Sequence, residues 1–213
     1  MSRAIYWFRN DLRVEDNSAF NKAIEMHEQL IPVYILDKDW LDGSQFGIEK
    51  IGVHRLKFLL ESLVDLKNKL QQLDSNLHFA IGDPIEEIAK VRKEFNCSNL
   101  YGQKASAYNE EQQENELQIL MPCTFLWGET LYHLDDLDFS LDALPEVFTQ
   151  FRKAVEKGSE VRKELDIPLK LNSPGENGTC IPSLEELGFE EPETDERAVI
   201  QFKGGATAGL ERL

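Results

Sequence analysis

Residues 4–8 read Ala-Ile-Tyr-Trp-Phe, a short apolar run that the polar residues 9–11 bring to an end. A continuous apolar run of this length is typical of a strand buried on both faces of a sheet. Residues 16–18, Asp-Asn-Ser, supply side chains that cap helices, and apolar residues at helical spacing continue through residues 19–26. This stretch predicts a strand, a loop and a helix, which is how an α/β fold begins.

The same alternation repeats along the first 128 residues. Further strands are predicted at residues 30–36, 77–81, 99–102 and 124–127. Further helices are predicted at residues 52–73, 84–95 and 109–120. Strands that alternate with helices indicate a doubly wound, Rossmann-like, five-stranded parallel sheet with helices on both faces.

The pattern changes after Trp127. A short amphipathic helix places Val147, Phe148, Phe151 and Val155 on one face. Beyond it, prolines, glycines and acidic residues dominate. We therefore expect an α/β domain over residues 1–160 and an acidic, extended, partly flexible connector over residues 161–213.

Composition excludes several classes of function. The 213 residues carry a net charge of −16, divided as −3 over residues 1–100 and −13 over residues 101–213. Such a charge disfavours binding of a phosphate backbone by this chain alone. The sequence contains no run of 18 apolar residues, so it predicts no membrane span. Its first residues do not have the pattern of a signal peptide, and none is expected. Three distant cysteines and four unclustered histidines favour a cytoplasmic protein without a metal site.

Polar residues follow the first predicted strand, at the sheet edge where doubly wound folds bind ligands. Arg9, Asn10 and Arg13 are suited to an anionic or polar ring ligand. Alternatively, Arg9 and Asp11 tie the first loop to neighbouring strands, and the residues alone leave both interpretations open. No catalytic constellation is present, so no catalytic residue is predicted.

Residues 7–17, which read W-F-R-N-D-L-R-V-E-D-N, resemble the opening motif of the photolyase/cryptochrome family, W-F-R-x-D-L-R-x-x-D-N. Similar segments follow in order at residues 33–37, 54–63, 82–84, 130–137 and 144–153. The last two resemble the DASH cryptochrome branch. The resemblance covers residues 3–157.

The resemblance implies two domains with different functions. In that family an N-terminal α/β domain carries an antenna chromophore, either methenyltetrahydrofolate or a flavin or deazaflavin. It passes excitation to FAD in a C-terminal helical domain, and the full-length relatives are light-driven DNA photolyases, which are lyases. Because residues 161–213 are too few for that helical domain, we expect it to be absent here and to be this domain's partner.

The resemblance also implies site residues. In folate-binding members an Asn-Glu pair after the fourth strand contacts the pterin, and Asn109-Glu110 resembles it; the alternative is a helix N-cap followed by an acidic first turn. For a flavin or deazaflavin, the pocket at the sheet's switch point would be lined by Phe8, Arg9, Asn10, Leu36, Asp37 and Arg55. Arg55 is equally compatible with an exposed or ion-paired position.

Two departures from the family pattern bear on these contacts. Gly204-Gly205 is followed by Ala206 rather than glutamate, and residues 103–108 differ from the usual DASH run. The competing hypothesis is an interaction or regulatory module without a chromophore, which the acidic stretch after Glu185 favours. A nucleotide-binding enzyme of related fold is a third hypothesis, disfavoured because no phosphate-binding loop is present.

Overall fold

Five parallel strands form the centre of the protein. The structure, a computed structural model, describes residues 2–42, 50–174, 178–193, 197 and 202–213. The strands are β1 (Arg3–Phe8), β2 (Gln29–Asp37), β3 (His78–Gly82), β4 (Asn99–Gln103) and β5 (Cys123–Leu126). Their order, β3-β2-β1-β4-β5, reverses direction between β1 and β4, which confirms the predicted doubly wound sheet.

Helices cover both faces of this sheet. They are α1 (Ser18–Met26), α2 (Lys38–Leu41), α3 (Val53–Gln72), α4 (Pro84–Phe95), α5 (Tyr108–Leu120), α6 (Phe148–Gly158) and α7 (Ala206–Leu210). Local signals set several of these boundaries. The Asn17 side chain accepts a hydrogen bond from Phe20 N at the start of α1. Asp83 caps α4, and Pro84 occupies its first position, as the sequence predicts.

Two hydrophobic cores lie on opposite faces of the sheet, and β1 contributes to both. Ala4, Tyr6 and Phe8 pack with residues of α1 and α3. Ile5 and Trp7 face the other way and pack with residues of α4 and α5. All five side chains are buried, which explains why β1 reads as a continuous apolar run.

Part of the predicted connector packs against the domain. Leu171 and Leu184 are buried in the core beneath α1 and α3. The Leu171 amide donates to the Leu73 carbonyl at 2.9 Å, and the Leu30 amide donates to Asn172 at the same distance. The predicted flexibility of residues 161–213 falls partly on 175–177, 194–196 and 198–201, which lie outside the described residues, and it stays a prediction, as does the boundary at 160.

A second contact of this segment protects an outer strand of the sheet. β3 lies at one edge, and the Thr179 hydroxyl bonds to both the amide and the carbonyl of Phe79 there. The Thr179 carbonyl also accepts a hydrogen bond from Lys67 Nζ at 2.8 Å. One side chain thereby satisfies two backbone groups on the side of β3 where the described part of the chain forms no further strand.

Replacing Thr179 with valine is expected to lower the free energy of unfolding by about 1–3 kcal/mol, because both Phe79 backbone groups lose their partner. Urea-induced unfolding measures this change. The exposed Thr149, replaced in the same way, is the control and should change stability by less than about 0.5 kcal/mol. Equal effects of the two substitutions would contradict the role of the hydroxyl.

Gly204 and Gly205 fit closely against α3. The Gly204 amide donates to Glu61 Oε2 at 2.7 Å, and a Cβ at Gly204 would stand 2.1 Å from the Phe58 carbonyl oxygen. Gly205 has a φ of +110°, which other residues rarely adopt. Glycine is required at both positions for α7 to lie against α3.

Candidate functional site

A cavity of about 400 Å³ opens at the carboxyl ends of β1, β2 and β4. This is the point where the strand order reverses, the usual ligand position in doubly wound sheets. Its volume lies within the range of ligand pockets in proteins. The cavity is lined by Trp7, Arg9, Asn10, Tyr34, Ile35, Asp37, Asp39, Trp40, Lys50, Pro84, Gln103, Ala105, Asn109, Glu110, Gln113 and Glu129.

Aromatic side chains form part of the wall. Trp7, Tyr34 and Trp40 line the cavity, and the Arg55 guanidinium stands 5.2 Å from the centre of the Trp40 ring. Trp7 is buried, and its indole N–H has no hydrogen-bond partner among the described residues. Burial raises the pKa of Tyr34, so its hydroxyl stays protonated at neutral pH. These groups offer flat apolar surface and donors to a ring ligand.

Arg9 joins several elements beneath the cavity. Its Nη2 donates to the Gln103 carbonyl and to Glu114 Oε1, the latter at 2.7 Å. Its guanidinium lies 4.7 Å from the centre of the Trp7 ring. Arg9 therefore ties β1 to β4 and α5, as one of the two sequence interpretations proposes. Its Nη1 is buried without a partner among the described residues, which leaves one donor unused at the cavity wall.

Asp11 stabilises the loop between β1 and α1. Asp11 Oδ2 accepts hydrogen bonds from the Tyr6 hydroxyl at 2.5 Å and from Asn17 Nδ2 at 3.0 Å. Asp11 Oδ1 accepts from the Arg9 amide at 3.0 Å. Burial and the Asp11 charge raise the pKa of Tyr6, so the hydroxyl remains a donor. This network fixes the backbone from which Arg9 and Asn10 reach the cavity.

Carboxylates dominate the charge of the cavity. Asp37, Asp39, Glu110 and Glu129 line it, and Lys50 Nζ lies 3.5 Å from Asp39 Oδ2. Carboxylate oxygens accept hydrogen bonds from ring N–H and amino groups. The cavity is therefore suited to a heterocycle whose N–H edge faces these acids.

Asp37 is a partly buried carboxylate of the cavity wall. Burial raises the pKa of Asp37, and the charges of Asp39 and Asp83 raise it further. Asp37 Oδ1 accepts from the Asp39 amide at 2.9 Å, and Gln113 Nε2 lies 3.4 Å from Oδ2. The ionised form is thus less favourable in the folded protein than in the unfolded chain.

Replacing Asp37 with asparagine is expected to stabilise the protein at neutral pH. The folded-state pKa of Asp37 is raised, so the folded protein keeps the Asp37 proton at pH values above about 3.9, where the unfolded chain has lost it. At neutral pH the ionised Asp37 therefore lowers the stability of the wild-type protein, and asparagine removes this cost. The stability advantage of the variant should therefore shrink as pH falls towards that value. Chemical unfolding at several pH values measures this, with the exposed Asp142 replaced by asparagine as control. An advantage that grows at low pH would contradict the argument.

The predicted Asn109–Glu110 pair lies in the first turn of α5, and both residues line the cavity. The N-cap of α5 is Ala107, so the alternative interpretation of Asn109 as the cap is wrong. Glu110 and Glu111 are both acids of the first turn, as that interpretation also expected.

The other predicted residues divide into two groups. Arg9, Asn10 and Asp37 line the cavity, whereas Phe8 and Leu36 do not, because they are buried in the core beside α1 and α3. Arg55 is not in the lining. It stands over Trp40, which is itself in the wall.

Sequence reasoning missed Glu114, the buried carboxylate below the cavity. Its one signal is a position three residues before Leu117, which places an acid on the inward face of α5. Trp40 and Tyr34 were also missed as parts of the wall.

Among the residues that the structure describes, no group of three or more histidine, cysteine or acidic side chains is placed to hold a metal ion. No helix that the structure describes combines the length and apolar character needed to cross a bilayer.

The chain belongs to the DNA photolyase family, whose family model, described as DNA photolyase, matches residues 4–170. Cryptochrome DASH from Gloeobacter violaceus is 40% identical over 98% of this chain and 43% of its own length. The Synechocystis cryptochrome structure superposes with a TM-score of 0.90 at 32% identity, covering all of this chain and 45% of the other.

A more distant structure shares the fold. The archaeal photolyase from Sulfolobus tokodaii superposes with a TM-score of 0.78 at 20% identity. It is described as containing two FAD molecules, with the implication of a novel light-harvesting cofactor. The superposition covers 98% of this chain and 45% of the archaeal photolyase chain. This chain thus spans less than half the length of the proteins it matches here.

Proposed function

We propose that this chain is a light-harvesting domain that binds an antenna chromophore in the cavity at the sheet's switch point. The observation that carries the proposal is the composition of that cavity. The cavity has aromatic walls and the carboxylates of Asp37 and Glu110. It also has two donors, Trp7 Nε1 and Arg9 Nη1, that have no hydrogen-bond partner among the residues that the structure describes. Methenyltetrahydrofolate, a flavin or a deazaflavin each combines a flat ring with carbonyl acceptors and N–H donors, which fits this set.

The chromophore supplies absorption of near-ultraviolet or blue light. The protein has to bind the ring, orient it and exclude water, so no nucleophile or general base is required of these residues. Arg9, held by Glu114, provides a fixed donor, and Glu110 on α5 provides an acceptor. The excitation would pass to FAD in a helical domain of the kind that the resemblance implies.

Titration with methenyltetrahydrofolate, riboflavin and a deazaflavin, followed by absorption and fluorescence, tests the proposal. We expect at least one of the three to bind, and Glu110→Gln to weaken binding about tenfold through loss of a charge-assisted hydrogen bond. Glu116→Gln, on the exposed face of the same helix, should leave affinity unchanged. Absence of binding by all three would overturn the proposal in favour of the chromophore-free interaction module.

The partner that we propose is a helical FAD-binding domain. The relatives are more than twice as long as the region that this chain matches, which is enough for a second domain. Apolar side chains between residues 131 and 169 are exposed and could contact such a domain, and Phe148 on α6 is 73% exposed. Phe148→Glu is expected to abolish association with a separately produced helical domain of a cryptochrome relative, measured by calorimetry. Binding that survives this change would place the contact elsewhere.

A further inference from the structure

Glu114 is a buried carboxylate that binds two cations at once. Its side chain is 2% exposed. Oε1 accepts hydrogen bonds from Arg9 Nη2 at 2.7 Å and from the Ala105 amide at 2.9 Å. Oε2 accepts from Lys104 Nζ at 2.5 Å. Lys104 Nζ also lies 3.9 Å from Glu111 Oε1, so two carboxylates balance the two cations. The charge of Arg9, the deeper cation of the cavity, is therefore neutralised by Glu114.

No other cation of the described lining supplies the positive charge that Glu114 neutralises on Arg9. Lys50, the second cation of the described lining, pairs with Asp39. Asp37, Glu110 and Glu129 make no salt bridge to a described residue. The described part of the cavity is thus left with an excess of negative charge.

The N-terminus of α5 adds to this effect. The start of α5 lies at the cavity, and helix N-termini commonly bind phosphate. In α5 the first turn already contains Glu110 and Glu111, which occupy the favourable end of the helix dipole. A phosphate approaching this terminus would meet carboxylates.

We propose that Glu114 determines ligand selectivity: by neutralising Arg9 it makes the cavity accept a phosphate-free planar heterocycle and reject the phosphate ester of the same ring. This inference rests on the proposed function and narrows its ligand class. A free arginine would bind phosphate in a bidentate manner, whereas Arg9 has its Nη2 committed to Gln103 and Glu114. Charge repulsion in a partly desolvated cavity disfavours the ester further.

Riboflavin and its phosphate ester, FMN, differ only by the phosphate, so the ratio of their dissociation constants isolates this selectivity. Flavin fluorescence quenching gives both constants. For the wild-type chain we expect the dissociation constant of FMN to be at least about tenfold larger than that of riboflavin. The ratio of the two constants should fall towards one as the salt concentration rises. In Glu114→Gln the freed Arg9 charge should narrow the ratio about tenfold, and in Glu116→Gln the ratio should match the wild type.

A double variant separates charge from damage to the fold. Arg9→Gln combined with Glu114→Gln removes both charges and should return the ratio towards the wild-type value, and circular dichroism checks that each variant folds. Equal or tighter binding of FMN by the wild type, a salt-independent ratio, or an unchanged ratio in folded Glu114→Gln would each overturn the inference. So would failure of both flavins to bind, whereas binding of the folate or deazaflavin alone would leave the proposed function standing.

Discussion

Replacing Glu114 with alanine is expected to lower the free energy of unfolding by about 3–5 kcal/mol, the usual cost of removing one partner from a buried ion pair. Alanine leaves Arg9, Lys104 and the Ala105 amide without their shared acceptor. Arg9 is only 11% exposed, so water cannot fully compensate. Guanidinium-induced unfolding followed by circular dichroism measures the change.

Glu116→Ala is the matched control. It removes the same side chain from α5, but at an exposed position, and should change stability by no more than about 0.5 kcal/mol. Glu114→Gln should fall between the two alanine variants, since an amide oxygen can still accept from Arg9 and Ala105. A Glu114→Ala protein as stable as the control would show that the buried pair does not support the fold.

Replacing Leu171 with alanine is expected to cost about 2–5 kcal/mol, as for other leucines truncated in a core. Leu171 is 1% exposed and belongs to the core beneath α1 and α3, although it follows the end of α6 by more than ten residues. In a chain of this size that loss corresponds to a melting temperature lowered by about 5–15 °C. Thermal unfolding measures it.

Leu169, two residues earlier, is 100% exposed and provides the control. Leu169→Ala should be nearly neutral. If the two variants melt together, the segment around Leu171 would have to be loosely attached, as the expected connector at residues 161–213 implies. A large difference would place this segment within the cooperative unit of the α/β domain.

The central strands β1, β2 and β4 were predictable because they are buried on both faces. Residues 4–8 show no alternation for that reason, and their apolar run marks β1 within one residue of its observed start. The site was only partly predictable. Arg9 and Asn10 follow the end of β1, and Asp37 is the last residue of β2. Phe8 and Leu36, their neighbours in the sequence, point to the opposite side and face the core.

Long-range partners were not predictable from local patterns. Nothing near Glu114 in the sequence indicates that Arg9, 105 residues earlier, is its partner. Leu171 and Leu184 lie in a stretch without hydrophobic periodicity, so no rule based on spacing assigns them to a core. Both features depend on chain segments that meet only in the folded protein.

The contact of Gly204 and Gly205 with α3 has a consequence for the excitation transfer that we propose. A glycine pair after a long segment would ordinarily act as a hinge, and a hinge would let a following domain change its angle. Here the amides of Gly204 and Thr207 are bound by Glu61 and Asp65 of α3, and there is no space for a Cβ at Gly204. Because excitation transfer through space depends on the distance and mutual angle of donor and acceptor, this rigid junction would hold both constant.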